Sequence, residues 1–175
     1  MIVHKGRTIF VGDTSVHEYP TSEQMAEIAI STARVVRLFG FDPKVAFVSH
    51  STFGQPLTSR TKHIRNAVEL LKEKKVDFEF DGDMQPDVAL NSEYEELYPF
   101  AKIVGKANIL IMPGQHSAAI SYKLMKSFAD TKVIGPLLVG LGLPIEIAPL
   151  RSSTSEILNL ASIAAYSADV IDYKK

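Results

Sequence analysis

Apolar positions along the chain fall into two alternating patterns, short runs and longer helical stripes. Thr8–Gly12 is a short apolar run and predicts a first strand. Thr21 and Gln24 then stand at capping-box spacing, which predicts a helix start. Met25, Ile28, Ala29, Val35, Val36 and Phe39 continue it as one apolar stripe, and Gly40 is its natural stop. Lys44–Ser49 reads as a buried strand, followed by the polar loop Ser49–Pro56. A basic helix is expected over Ser59–Lys75, with Ile64, Ala67, Val68 and Leu71 inward.

Phe78 and Phe80 alternate as in a strand and lead into an acidic stretch, Asp81–Asp87, and a short Val88–Leu90 segment. Asn91–Lys102 reads as a short helix and a surface loop. Ala107–Met112 is the clearest strand, broken by Pro113-Gly114, and a helix over Ser117–Phe128 follows. Val133–Leu141 is apolar and glycine-rich, and Pro144–Ala148 is expected as a further strand. The last helix starts near Ser153, with Glu156 completing a second capping box; Ile157, Leu160, Ala161 and Ala164 are its expected buried face. Strands alternating with helices predict an α/β fold: a mostly parallel sheet in a three-layer αβα arrangement, forming one domain over residues 1–175.

Composition narrows the function classes. The chain has 175 residues, 46% of them hydrophobic, with a net charge of −1. That balance argues against a nucleic-acid binder or a disordered tail. Cysteine is absent, so disulfides, thiolate metal sites and cysteine nucleophiles are excluded. No apolar run approaches the ~18 residues of a membrane span, and Met1–Gly6 carries no signal-peptide core. The expectation is a cytoplasmic protein with no membrane partner.

Ligands of open α/β sheets bind beyond the carboxyl ends of strands, and three segments qualify. Ser49, His50, Ser51, Thr52 and Gly54 precede a helix that carries Arg60, Lys62, His63 and Arg65. That grouping suits an anion, and it equally suits a solvated loop beside an exposed charged helix face. Gln115, His116 and Ser117 open a helix after a strand, either facing a ligand or forming a turn with Ser117 as cap. Arg151, Ser152 and Ser153 lie between the last expected strand and helix, either holding a phosphate or capping the helix beside a surface arginine.

Other chemistries are poorly supported. Asp81, Asp83 and Asp87 resemble half of a calcium loop but lack its twelfth-position glutamate, so no metal is expected. The five histidines are scattered, without a His-x3-His pair. Neither a Walker loop nor a Gly-x-Ser-x-Gly elbow is present.

Five segments, in register over residues 42–165, resemble the phosphate acetyl/butyryl transferases. They are Asp42–Gly54, Phe80–Leu90, Gly105–Pro113, Ala119–Leu124 (with Tyr122-Lys123) and Ile134–Leu141. Lys5–Thr14 and Ser49-His50-Ser51 resemble the version of that domain at the end of bacterial NADP-dependent malic enzymes. The resemblance implies the isocitrate/isopropylmalate dehydrogenase-like fold. It also implies the C-terminal half of a domain nearly twice as long, dimerisation or higher assembly, and a coenzyme A cleft.

Acetyl-CoA or a related acyl-CoA is the implied ligand, with Tyr122 and the three segments above as candidate contacts. NADP and a divalent metal belong to the malic catalytic domain of a shared parent chain, so no cofactor is expected in this one. Two roles are implied: acyl transfer between coenzyme A and phosphate, or acetyl-CoA regulation of malate oxidative decarboxylation. A structural dimerisation domain is a third reading.

One departure bears on the choice. Transferases of this kind carry Ser-Arg-Gly after the last strand and an aspartate in the last helix. Here Pro149 and Leu150 stand at the Ser-Arg positions, Glu156 at the aspartate, and Arg151 is displaced by one residue. Without those donors transferase activity is expected to be weak or absent. Arg151 is the one catalytic candidate if transfer occurs.

Overall fold

The computed structural model describes residues 1–170; the remaining residues of the expected domain, 171–175, lie outside it. Strands β1 (Ile2–His4) and β2 (Arg7–Gly12) form a hairpin. Its two-residue turn, Lys5-Gly6, has both φ angles positive, as tight hairpins require. Helix α1 (Ser22–Leu38) follows, started by Thr21 in the expected capping box and closed just before Gly40, whose φ is 81°. Then come β3 (Lys44–Val48), α2 (Ser59–Glu73), β4 (Glu79–Met84) and the short α3 (Pro86–Leu90). A single 3-10 turn at Ser92–Tyr94 precedes β5 (Ile109–Ile111), α4 (Gln115–Lys126), β6 (Thr131–Val133) and α5 (Thr154–Val170).

The six strands make one sheet in the order β4-β3-β5-β2-β1-β6. Strands β4, β3, β5 and β2 run parallel, while β1 and β6 extend the sheet antiparallel. The sheet is therefore mixed, with a parallel centre. Side-chain alternation divides its core into two layers. Val45, Phe47, Ile109 and Ile111 point to one face, where Met25, Ala29, Val36, Ile64 and Leu71 of α1 and α2 cover them. Ala46, Val48 and Leu110 point to the other, beneath Met84, Val88, Ala89, Ile103, Val104 and Ala118.

The structure departs from the sequence expectations at the chain ends. Strand β1 was not anticipated; three residues are too few to show a period. Pro144–Ala148 is no strand: its backbone is irregular, and Ile145 and Ile147 are exposed. Sheet pairing ends at Val133 on that edge, so this apolar run has no ladder partner. Helix α4 begins at Gln115 rather than Ser117, with Gly114 before it. Its end, Lys126, falls before Phe128. On α5 Leu160 is buried, but Ile157 and Ala161 are exposed because no layer covers them. No helix among the described residues is long and apolar enough to cross a membrane.

Candidate functional site

The carboxyl ends of the parallel strands place Ser49–Gly54 after β3, Pro113–Ser117 after β5 and Asp13–His17 after β2 along one rim of the sheet. In the first of these loops the hydroxyls turn inward. Ser49, Ser51 and Thr52 are buried. Asp83, fully buried at the end of β4, organises them. Its carboxylate accepts from the Ser51 hydroxyl and, at 3.1 Å, from the Gly54 N–H, while its carbonyl accepts the Phe53 N–H at 2.6 Å.

Ser49 Oγ lies 3.4 Å from Ser51 Oγ and accepts the Ser51 N–H at 3.3 Å. Thr52 Oγ1 accepts the Gln85 N–H at 3.2 Å, and the Gln85 side chain donates to the His50 carbonyl. The polar groups expected to meet a ligand thus hold the loop's own shape. His50 and Arg60 remain exposed. Gly54 is fixed by geometry: φ is +82°, and a Cβ there would lie 2.5 Å from an Arg65 guanidinium nitrogen.

The acidic stretch is engaged in the same local way. Asp81 accepts the N–H groups of Gly82 and Lys102, and Asp87 accepts from the Tyr94 hydroxyl. Each aspartate serves its own donors, and no group of metal-holding side chains forms among the described residues.

In the second loop Gln115 N–H donates to the Glu18 carbonyl at 3.2 Å, tying this loop to the one after β2. Ser117 Oγ donates to the Gly114 carbonyl at 2.8 Å, so its hydroxyl closes the first turn of α4. His116 is exposed.

The third segment sits elsewhere. Ser153 and Glu156 form the expected reciprocal cap: the Ser153 N–H and hydroxyl donate to Glu156 at 2.8 and 3.0 Å, and the Glu156 N–H donates back at 3.3 Å. Lys126 also reaches Glu156 at 2.8 Å. That ammonium, with the Ser153 donors, pulls the Glu156 carboxyl down to about 2. Lys126 is the far end of α4 from Gln115, and the intervening helix spans on the order of 16 Å. Arg151, Ser152 and Ser153 therefore gather at the opposite end of α4 from the serine loop. Arg151 is exposed, as is Leu150.

A cavity of about 460 Å³ opens between α1, the loop after β2 and the segment Val133–Val139. Of the residues expected at a site, Tyr122 lines it. Sequence reasoning missed its principal polar feature. Asp13, with φ at 45°, turns its carboxylate back onto its own loop, accepting the N–H groups of Ser15, Val16 and His17 at 3.2, 2.8 and 3.0 Å. It also accepts from His17 Nδ1 at 2.5 Å. Burial alone would raise the Asp13 carboxyl, but these donors outweigh it and hold it below its ordinary value. The available signal was the Asp-x3-His spacing immediately after a predicted strand.

The chain is 48% identical over 164 residues to the NADP-dependent malic enzyme of Rhizobium meliloti, covering 94% of this chain and 22% of that protein. The matched part is the C-terminal portion of such enzymes. It is 36% identical to the phosphate acetyltransferase of Clostridium acetobutylicum, covering 91% of this chain and 49% of that protein. The structure superposes on the EutD phosphotransacetylase from Staphylococcus aureus with a TM-score of 0.87 and 30% identity, covering 95% of this chain and 52% of that one. The chain thus spans about a fifth of the Rhizobium malic enzyme and about half of the Clostridium transferase. Residues 1–165 match the family described as Phosphate acetyl/butaryl transferase, and the chain belongs to that family.

Proposed function

We propose that the chain is an acetyl-CoA-sensing, transferase-inactive domain of an NADP-dependent malic enzyme, working in the cytoplasm from the same parent chain as the malic catalytic domain. The observation that carries this reading is Pro149-Leu150-Arg151. The resemblance calls for Ser-Arg there, and in this fold Leu150 and Arg151 stand exposed on irregular backbone. Proline has no hydroxyl, and leucine cannot stabilise developing charge. Holding a ligand phosphate makes a looser demand, which the exposed Arg60 and Arg151 meet.

Regulation requires acetyl-CoA to favour one arrangement of the parent enzyme over another. Calorimetry of the complete parent chain with acetyl-CoA tests this, alongside malate oxidation with and without the ligand. Heat of binding with altered oxidation, and no thiol release from acetyl-CoA and phosphate, is the expected result. Absence of both heat and regulation sinks it. Robust thiol release abolished by Arg151→Ala would establish the alternative, an active phosphate acyltransferase.

A role in assembly is a second reading. Ile120, Leu124 and Phe128 recur every four residues from α4 into the turn beyond it, and all are exposed. Leu143, Ile147 and Leu158 are exposed as well. Such a surface suits a subunit or domain contact. Sedimentation of Leu124→Asp against the unaltered protein tests it; an unchanged mass would remove α4 from any homo-oligomer contact.

A further inference from the structure

The cavity beside the Asp13–His17 pair has features that the acetyl-CoA reading does not use. Its size falls in the range of small-molecule sites, roughly 300–1,000 Å³. Ile28, Val35, Val133, Leu137 and Val139 supply much of the wall. Among the described residues no lysine or arginine lines it, whereas Glu23 and Glu27 of α1 both do. Lys74 offsets Glu27 at 2.9 Å, four donors surround the Asp13 carboxylate, and burial lowers the Met1 amino group, which donates to the Ile134 carbonyl at 2.9 Å, to about 6; Glu23 is left as the uncompensated charge at the wall. A phosphate or carboxylate would meet apolar surface and like charge here.

His17 is the directional group. A carboxylate can only accept, so the proton between His17 Nδ1 and Asp13 belongs to the imidazole. In the neutral ring Nε2 is then an acceptor. Among the described residues it has no hydrogen-bond partner, and the His17 side chain keeps 35% of its surface exposed. The Asp13 side chain, 9% exposed and anchored by three backbone N–H groups, holds the ring in this orientation through Nδ1. The site therefore offers one fixed acceptor at the edge of an apolar chamber.

We infer that this cavity is a binding site for a neutral, mainly apolar molecule with one amide N–H or hydroxyl donor, which it places on His17 Nε2. Such a ligand would bridge α1 and the Val133–Val139 segment, which leads toward α5. The inference stands apart from the acetyl-CoA reading, because no lysine or arginine lines the cavity to hold that ligand's phosphates.

Three probes with the same alkyl arm test it: N-hexylacetamide, hexanoate and hexylammonium. Each is titrated into the protein and followed by amide NMR shifts and calorimetry. N-hexylacetamide is expected to saturate, shifting amides in Val16–Glu18 and Val133–Val139. Hexanoate, which meets like charge, is expected to bind at least tenfold more weakly, and so is hexylammonium, whose charge would lose its water in the apolar chamber. His17→Ala should weaken the amide at least tenfold at unchanged melting temperature. Val139→Trp, a bulkier side chain on a different wall segment from Asp13, should weaken binding at least tenfold even if His17→Ala proves poorly folded. No saturation by the amide overturns the proposal, as does equal or tighter binding of a charged probe. Undiminished binding to a folded His17→Ala or Val139→Trp protein does the same.

Discussion

Residues 1–133 and residues 134–170 are both rich in aliphatic side chains, yet they use them differently. In the first stretch the apolar positions of β3 and β5 alternate between two covered faces, and Val45, Phe47, Ile109 and Ile111 are fully or almost fully buried. In the second, Leu143, Ile145, Ile147, Ile157 and Leu158 are exposed, and Leu160 is the buried residue of α5. The difference is layers rather than composition. A helix on each side closes the parallel sheet, while α5 is held to the rest by Leu160 and a few polar contacts. These include Lys126–Glu156 and the Tyr166 hydroxyl on the Leu38 carbonyl at 3.2 Å. An apolar stripe predicts a buried face only where a second surface exists to receive it.

Substitutions can break or sharpen this contrast. The largest effect is expected from Phe47→Ala, which opens a cavity between β3 and two helices and should cost about 3–5 kcal/mol in urea unfolding. Next comes Asp83→Asn. It weakens the acceptor for Ser51 and Gly54 inside a buried network and should cost about 1–3 kcal/mol. It should also accelerate hydrogen exchange at Gly54. Thr58→Ala removes the hydroxyl that accepts the Thr61 N–H at 3.2 Å and should cost ~1 kcal/mol by the same unfolding assay. Leu158→Ala, on the exposed side of α5, should stay within about 0.5 kcal/mol. A cost like that of Phe47→Ala would mean that α5 is covered in solution and the contrast is false.

The smallest effect concerns pH. Glu156 is depressed to about 2 by Lys126 and Ser153. Its contribution to folding is complete above the ordinary carboxylate range and fades as pH falls through about 2. Carboxyl NMR titration should place its midpoint there, and Lys126→Met should move it upward. The pair is exposed, so global stability should change little.

The elements with a full hydrophobic period were legible in the sequence. The α1 capping box, the inward face of α2 and the strand before Pro113 stand where spacing put them. Legibility failed where the deciding partner was distant. Pro144–Ala148 has a strand's composition but no neighbour to pair with. The serine loop was recognisable as a polar loop on the sheet's functional rim. The inward turn of its hydroxyls depends on Asp83, which is 32 residues from Ser51. Asp13 and His17 are only four apart, but their meaning rests on α1 and Val133–Val139 closing a chamber around them. A family resemblance did not point to that pair either.

The antiparallel margin of the sheet also has a consequence for timing. His4 Nδ1 meets Thr131 Oγ1 at 2.7 Å, although the two residues are 127 positions apart in sequence. Strand β1 can zip to β2 as soon as their hairpin leaves the ribosome. Its other edge must wait for β6, which at roughly 5–20 residues per second arrives on the order of ten seconds later. During that interval the nascent sheet presents an open strand, and closing it at Ile2–Val133 is among the last steps of assembly.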